Sequence, residues 1–504
     1  MSAPGLTGRS ALNFLASLVV YLLRLGAGFV VNPVIVNGLG TTGFGLWQVS
    51  QRLLTYVATA EGRASQALKW RVANRQHSSN LEENQDDIGA AVLIWLGFLP
   101  LVLLVGAPLA WFSPSFVKDL DPAWWPALKT ACAVLVVRLA LTGLAMIPES
   151  VLQGANLGYR TVWIRAGSEL AAAVLSYAAV TLGWGLTGLA AALTVSVVLG
   201  GALHLRMAHR LLPWYGIRRP DRGRVRSFLS FSVWIFGWTF VNKVILFGDV
   251  VVLGWVIGAD AVAVYSLTLY AAQTGMHLMA MLVSGAVPGI GALIGEGRLD
   301  KAAAVRGELW LLAWFFMTVL GAVVLACNRS FVTLWVGELR YLGDPGNLLL
   351  VAMITQLVLI RLDAFIIDVT LQLREKVLLG LASAVLTAGF SALGGAMAGT
   401  EGLILGLMIG RLLLSWGFPR LVSRQLRIGA APRFGGIIRP LAFSAAVGWG
   451  AHALGSGWRT DSWLLLAALA SATVATAAAG AYLLGLDEAR RAVIRTRFNA
   501  LRSR

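Results

Sequence analysis

The stretch Ile88-Gly89-Ala90-Ala91-Val92-Leu93-Ile94-Trp95-Leu96-Gly97-Phe98-Leu99-Pro100-Leu101-Val102-Leu103-Leu104-Val105-Gly106-Ala107-Pro108-Leu109-Ala110-Trp111-Phe112 decides the fold. It runs for 25 residues without a charged side chain. A helix needs about 20 apolar residues to cross the hydrocarbon of a bilayer, and this segment exceeds that. Stretches of the same kind recur along all 504 residues, of which 58% are hydrophobic and 13% charged. Mean hydropathy is +0.75. A soluble domain is typically ~45–50% apolar and about 25% charged. Soluble cores also stop growing near ~250–300 residues. A soluble globule, a disordered chain, a coiled coil and a secreted disulfide scaffold are thereby excluded. The chain reads as an all-α polytopic membrane protein. Its net charge of +17 would point to nucleic acid on a soluble protein. In a membrane protein the positions of the cations decide instead, and no nucleic-acid partner is expected. Cys132 and Cys327 read as two buried thiols rather than a disulfide, and they form no metal-binding spacing. The first apolar segment, after Arg9, is too long for a signal-peptide core and lacks a small-residue cleavage site, so it reads as a retained helix.

About fourteen segments are long and apolar enough to span. They centre on residues 12–36, 44–60, 88–112, 124–147, 162–182, 186–207, 228–257, 262–294, 309–327, 348–371, 377–397, 403–419, 437–454 and 463–484. The basic residues support an even count. Numbered from a cytoplasmic amino terminus, the inner loops and termini hold 29 Lys and Arg, and the outer loops hold four: Lys118, Arg329, Arg340 and Arg459. A wrong count would scramble this positive-inside alternation, so both termini are expected on the cytoplasmic side. Trp124, Trp125, Trp214, Tyr215, Trp335, Tyr341 and Trp463 fit an interfacial aromatic belt.

The longest basic connector, residues 206–226, separates the first six spans from the next six. The expected organisation is an amino-terminal lobe at 1–212, a basic cytoplasmic linker at 213–227 and a carboxy-terminal lobe at 228–424. Two further helices follow at 425–486, then a basic cytoplasmic tail at 487–504 that reads as an amphipathic helix on anionic lipid. An internal repeat relates the halves. Gly40-Thr41-Thr42-Gly43-Phe44-Gly45-Leu46-Trp47 aligns with Gly258-Ala259-Asp260-Ala261-Val262-Ala263-Val264-Tyr265 at an offset of 218. In the second span Gln48, Arg52, Thr55 and Thr59 form one polar face, and the same offset leads to Ser266, Tyr270, Gln273 and His277 in the eighth. Matched polar stripes in an apolar setting read as cavity walls; hydrogen-bonded helix packing is the alternative. Six spans per repeat preserve orientation, so the lobes should be related about the membrane normal. Pro33 and Pro288 interrupt the first and eighth spans, as kinks near a transport site or as tolerated bends. Gly402, Gly406 and Gly410 form a stripe suited to close helix packing.

Eight basic residues fall within predicted spans: Arg24, Arg52, Lys129, Arg138, Arg165, Lys243, Arg361 and Arg411. A charge at that depth is costly and usually faces a protein interior or an aqueous cavity. Arg165 and Glu169 share a helix face and can neutralise each other, and Lys129 can reach the outer interface. The other carboxylates in the spans are Asp249, Asp363 and Asp368. A buried carboxylate can alternate between protonated and ionised forms, which ion coupling requires. Asp249 and Asp368 are the candidates, with a structural ion pair as the alternative.

The series of motifs resembles a known family. Leu39-Gly40-Thr41-Thr42-Gly43-Phe44-Gly45-Leu46-Trp47 closes the first helix, and Ile147-Pro148-Glu149-Ser150-Val151-Leu152-Gln153-Gly154 is followed by Asn156 and Tyr159. Val287-Pro288, Gly295-Glu296-Gly297-Arg298-Leu299-Asp300-Lys301 and Phe331-Val332-Thr333-Leu334-Trp335-Val336-Gly337 come later. In order and spacing, from about Asn13 to Arg439, this resembles the bacterial polysaccharide flippases of the MOP (multidrug/oligosaccharidyl-lipid/polysaccharide) exporter superfamily. The resemblance implies two pseudo-symmetric six-helix lobes plus two carboxy-terminal helices. It implies translocation of an undecaprenyl-pyrophosphate-linked oligosaccharide across the bacterial inner membrane by alternating access, coupled to an ion gradient. The product would serve O-antigen, capsule or exopolysaccharide synthesis. Membrane lipids and a polysaccharide polymerase or export complex are the partners so implied; no cofactor or metal is. The Asp-Ala-Phe segment of the related lipid II flippase is not found after the first helix.

Such a cargo carries a pyrophosphate, which Arg and Lys can grip through charge-assisted hydrogen bonds. Arg24, Arg52 and Lys243 are the leading candidates, followed by Arg138, Arg361 and Arg411; Lys243 falls one residue after the repeat image of Arg24. The nearest rival is a multidrug cation antiporter of the same superfamily. Eight cations against about four carboxylates in the spans favour an anionic cargo instead. A membrane glycosyltransferase or polymerase would need catalytic outer loops. The longest here, 113–123 and 328–347, carry no paired-carboxylate motif, and no phosphate-binding glycine loop appears.

Overall fold

The computed structural model describes residues 6–58, 64–74, 81–221, 223, 242–243, 248–370, 373–427, 435–488 and 490–491. All regular structure among them is helical. The helices are α1 (Leu6–Val57), α2 (Ala64–Asn74), α3 (Leu81–Trp111), α4 (Trp125–Gly154), α5 (Val162–Thr181) and α6 (Gly185–Leu211). After a helical segment at 248–256 come α7 (Ala259–Gly295), α8 (Leu299–Val336), α9 (Asp344–Thr370), α10 (Leu373–Gln425), α11 (Gly435–Gly457) and α12 (Trp463–Gly480). Among the described residues nine helices are long and apolar enough to cross a membrane. Two of them, α1 and α10, each carry two of the predicted spans. The predicted seventh span, 228–257, lies outside the described residues except at 242–243 and 248–257. Most of the tail at 487–504 also lies outside them.

The two double-length helices break at glycine. In α1 the break is at Gly40, with φ 74° and ψ 175°. In α10 it falls at Ala398 and Gly399, the latter with φ 62° and ψ −147°. Side chains on a Cβ clash in this region, so it is essentially reserved for glycine. The sequence separates these spans by short connectors, and the chain turns there on Gly40 alone and on the Ala398–Gly399 pair. We expect Gly40→Ala and Gly399→Ala each to destabilise by about 1–3 kcal/mol. Gly26 is helical and has open space where a Cβ would go. Gly26→Ala should be neutral or slightly stabilising, by up to ~1 kcal/mol. Thermal unfolding of the three variants in detergent checks this.

The chain separates into two compact units, Met1–Ala263 and Val264–Arg504. The expected lobe division at 213–227 lies before the predicted seventh span, whereas the unit boundary lies after it. In the first unit α4 and α6 pack together, with α3 and α5 beside them, α1 against α5 and α2 against α4. Leu68 and Val72 of α2 join Ile88, Ala91, Val151, Leu152 and Tyr215 in one buried cluster. In the second unit Leu325, Ala326 and Cys327 of α8 pack on Ala451 of α11 and on Leu466 and Ala477 of α12. Cys132 and Cys327 are buried free thiols.

Lipid is as apolar as leucine, so burial alone gives helices little reason to associate in a membrane. Outward residues such as Leu104 and Leu464 are 72% and 80% exposed, as a lipid-facing surface requires. Close backbone contact and buried polar pairs then specify the packing. Gly402, Gly406 and Gly410 lie against the backbones of Gly394, Phe390 and Thr387, so the two halves of α10 fold onto each other through the glycine stripe. A Cβ at any of the three would collide with the facing chain.

Candidate substrate site

The repeat is visible in the backbone. Gly40 and Gly258, 218 residues apart, both have positive φ, at 74° and 129°. Two residues beyond each, the repeat partners meet: the Thr42 hydroxyl donates to Asp260 Oδ1 at 2.7 Å. Gly45 permits this approach, since a Cβ there would collide with the Ala259 carbonyl.

Further along α1, Gln48, Arg52 and Thr55 are half-buried while Val49, Leu53 and Leu54 beside them are buried. This is the pattern of a polar stripe set into apolar packing. Thr59 lies outside the described residues. Lys243 reaches the stripe: its Nζ donates to the Thr55 carbonyl at 2.8 Å. Asp249 is buried, and its Oδ1 accepts from the Val250 N–H at 2.8 Å. Tyr56 is within electrostatic reach of both Asp249 and Arg52, and its hydroxyl lies beside Gly248. Lys243 and Asp249, distant in sequence, are thereby brought to the stretch of α1 that carries Arg52, Thr55 and Tyr56. Two cations and one carboxylate can hold an anion through charge-assisted hydrogen bonds while the carboxylate limits the net charge. Tyr56, one turn after Arg52 at the edge of the stripe, is not among the residues the sequence singles out.

The other candidate cations are engaged elsewhere. Arg24 Nε donates to Glu169 Oε1 at 3.0 Å, and a second guanidinium nitrogen lies closer still. Sequence spacing pairs Glu169 with Arg165. Packing of α1 on α5 places Arg24 opposite Glu169 instead, and Arg165 lies 3.5 Å from Glu149. Arg138 is half-buried on α4. In the second unit Arg361 is half-buried over the Phe365 ring, 5.8 Å from its centroid. It lines an apolar crevice with Met276, Met279, Val283 and Val358. Arg411 is wholly buried. On α7, Ser266, Tyr270, Gln273 and His277 are all half-buried. The Tyr270 ring lies 4.7 Å from that of Trp335.

Two of the 29 cations counted on the inner side, Lys376 and Arg306, are held in ion pairs, the first buried and the second half-buried. Lys376 Nζ donates to Asp368 Oδ1 at 2.5 Å and to the Ala364 carbonyl at 2.9 Å. Arg306 grips both oxygens of Asp363, at 2.8 and 3.0 Å, and Trp310 Nε1 adds a third bond at 3.2 Å. Arg306 and Trp310 are one turn apart on α8, which is the only sequence signal for that site.

These features define the class first: a polytopic α-helical membrane protein with the fold of MOP superfamily transporters. The chain is similar in structure to the lipid II flippase MurJ in an inward closed conformation, with a TM-score of 0.69 and 12% identity over 94% of this chain and 98% of that one. It is also similar to a multidrug resistance MATE family transporter in an inward-facing conformation, with a TM-score of 0.66 and 14% identity over 81% of this chain and 100% of that one. A MOP superfamily transporter from Pyrococcus furiosus with a binding pocket of reversed polarity gives a TM-score of 0.56 and 14% identity over 82% and 96%. At these identities the likeness is one of fold. The model of the family described as polysaccharide biosynthesis protein matches residues 10–293, and the chain belongs to that family. No curated protein matches it.

Proposed function

We propose that the chain is a secondary-active flippase rather than an enzyme. It carries undecaprenyl-pyrophosphate-linked oligosaccharides across the bacterial inner membrane by alternating access, for O-antigen, capsule or exopolysaccharide synthesis. The observation that carries this reading is the convergence of Arg52 and Lys243 around Thr55 and Tyr56, in a member of a polysaccharide biosynthesis family. A pyrophosphate cannot enter hydrocarbon unaided, and two cations at membrane depth offer it partners. Arg24, Arg138, Arg361 and Arg411 are further cargo contacts in this proposal, with the stripes Gln48, Thr55, Thr59 and Ser266, Tyr270, Gln273, His277 as cavity walls. Asp249 and Asp368 are the candidates for ion coupling. The excess of Lys and Arg in the predicted inner loops supports cytoplasmic termini, and the lobe division at 213–227 belongs to the same reading. A polymerase or export complex would receive the product.

Direct competition separates this reading from multidrug export. In proteoliposomes the protein should move a fluorescent lipid-linked oligosaccharide and leave a cationic dye where it is. Dye efflux without lipid movement would establish the multidrug reading instead.

A further inference from the structure

One buried imidazole in the first unit plays no part in the cation cluster. His204 lies on α6 and is 4% exposed. Its Nδ1 stands 2.8 Å from the carbonyl oxygen of Gly200, one turn back. A carbonyl can only accept, so Nδ1 carries the proton and the neutral ring presents a bare lone pair at Nε2. Nε2 is buried and meets no hydrogen-bond partner among the described residues. A buried acceptor in this condition is costly and uncommon, and it calls for a physical reason.

The surroundings are charged. Glu149 on α4 and Arg165 on α5 both act electrostatically on the ring. Arg165 Nε lies 3.5 Å from Glu149 Oε1, and Gln153 donates to the same oxygen at 2.7 Å. Lys69 on α2 belongs to the group. Burial and then Arg165 hold its amine below the ordinary lysine range, against the pull of Glu149. The ring therefore sits near one carboxylate and one cation from two other helices, and Lys69 of a third helix acts on that pair. Glu149 offers this ring a carboxylate, and Arg165 sets a competing cation beside it. A small movement of either side chain moves that balance, which suits a site that must bind and release a proton in turn. The Arg165 side chain is 32% exposed and that of Glu149 12%, so the group is not sealed inside the first unit.

We infer that Nε2 of His204 is a proton-binding site of the transport cycle, in addition to Asp249 and Asp368. This rests on the reading of ion-coupled transport above. The step is simple uptake: one proton adds to the Nε2 lone pair, an N–H bond forms, and the charge of the Lys69–Glu149–Arg165–His204 group rises by one. The imidazolium then competes with Arg165 for Glu149. Since these residues sit on α2, α4, α5 and α6, protonation changes how those helix ends hold together.

The test joins nitrogen-15 histidine NMR on the full chain in lipid nanodiscs with translocation in proteoliposomes under an imposed pH gradient. The chain has 5 histidines, so the His204 signal is assigned by its loss in His204→Asn. Asparagine keeps an N–H able to face the Gly200 carbonyl but cannot take up a proton; His204→Gln serves as a second variant if the first does not fold. The expected spectrum has Nδ1 protonated throughout, with Nε2 gaining a proton as pH falls. Wild-type translocation should respond to the gradient. His204→Asn should translocate without a gradient and lose the response, and Glu149→Gln should weaken it. An Nε2 that stays bare across the pH range where the gradient acts would overturn the inference. So would a full gradient response in His204→Asn, or wild-type translocation indifferent to the gradient. If the wild type moves no lipid-linked oligosaccharide, the functional reading fails, and the NMR titration still decides whether Nε2 takes up a proton.

Discussion

Asp363→Ala should cost the second unit about 3–5 kcal/mol, the usual penalty for removing one partner of a buried ion pair. Asp363 is wholly buried and the Arg306 side chain is 14% exposed. The guanidinium uses two nitrogens on the two carboxylate oxygens, the planar bidentate geometry that lysine cannot reproduce. Removing the carboxylate would strip the half-buried Arg306 of both these bonds, and Trp310 Nε1 would lose its acceptor. Arg306→Lys should recover little, because an ammonium offers one point of contact. The paired change Arg306→Met with Asp363→Leu should restore much of the loss, since an apolar replacement of both partners removes the uncompensated charge. Chemical unfolding in detergent of the single and double variants measures each term. A single variant within 1 kcal/mol of wild type, on the order of a surface substitution, would show that the pair carries little.

The second large effect is on transport. Lys243→Ala and Arg52→Ala should each slow translocation of a pyrophosphate-linked lipid by about 10- to 100-fold. A charged hydrogen bond is worth ~1.5–3 kcal/mol, and about 1.4 kcal/mol is tenfold. Lys243 also donates to the Thr55 carbonyl at 2.8 Å, so its alanine variant loses a helix contact as well. Lys243→Arg keeps the charge and should keep most of the activity, which separates cargo contact from packing. Arg24→Ala should have a smaller effect: its guanidinium is already engaged by Glu169, and its side chain is 65% exposed.

Much of the fold was legible because the bilayer imposes a length on every span. The stretch at 88–112 and its counterparts fall on helices wherever the chain is described, and the repeat found at Gly40 and Gly258 reappears as two positive-φ glycines. Sequence could not show that the connectors at Gly40 and Ala398–Gly399 shrink to one and two residues, since both flanks are helix-forming. The charges were harder. Loop numbering assigned Arg306 and Lys376 to the inner surface, yet both reach back into the protein to meet Asp363 and Asp368. Long side chains near a helix end can turn either way, and only the packed partner decides. Glu169 was paired with the nearer Arg165 by helical spacing, while α1 supplied Arg24 across the interface. The groups that Tyr56 and His204 join draw on several helices, so they appear only once those helices are packed.

The most direct measurement is leaflet-resolved translocation of an undecaprenyl-pyrophosphate-linked oligosaccharide in proteoliposomes, comparing wild type with the Arg52→Ala/Lys243→Ala double variant. The wild type should move the lipid well above the rate of protein-free liposomes, and the double variant should fall back to that rate while keeping its thermal stability. A wild type no faster than bare liposomes, or a double variant as fast as wild type, would contradict a cation-gripped lipid cargo.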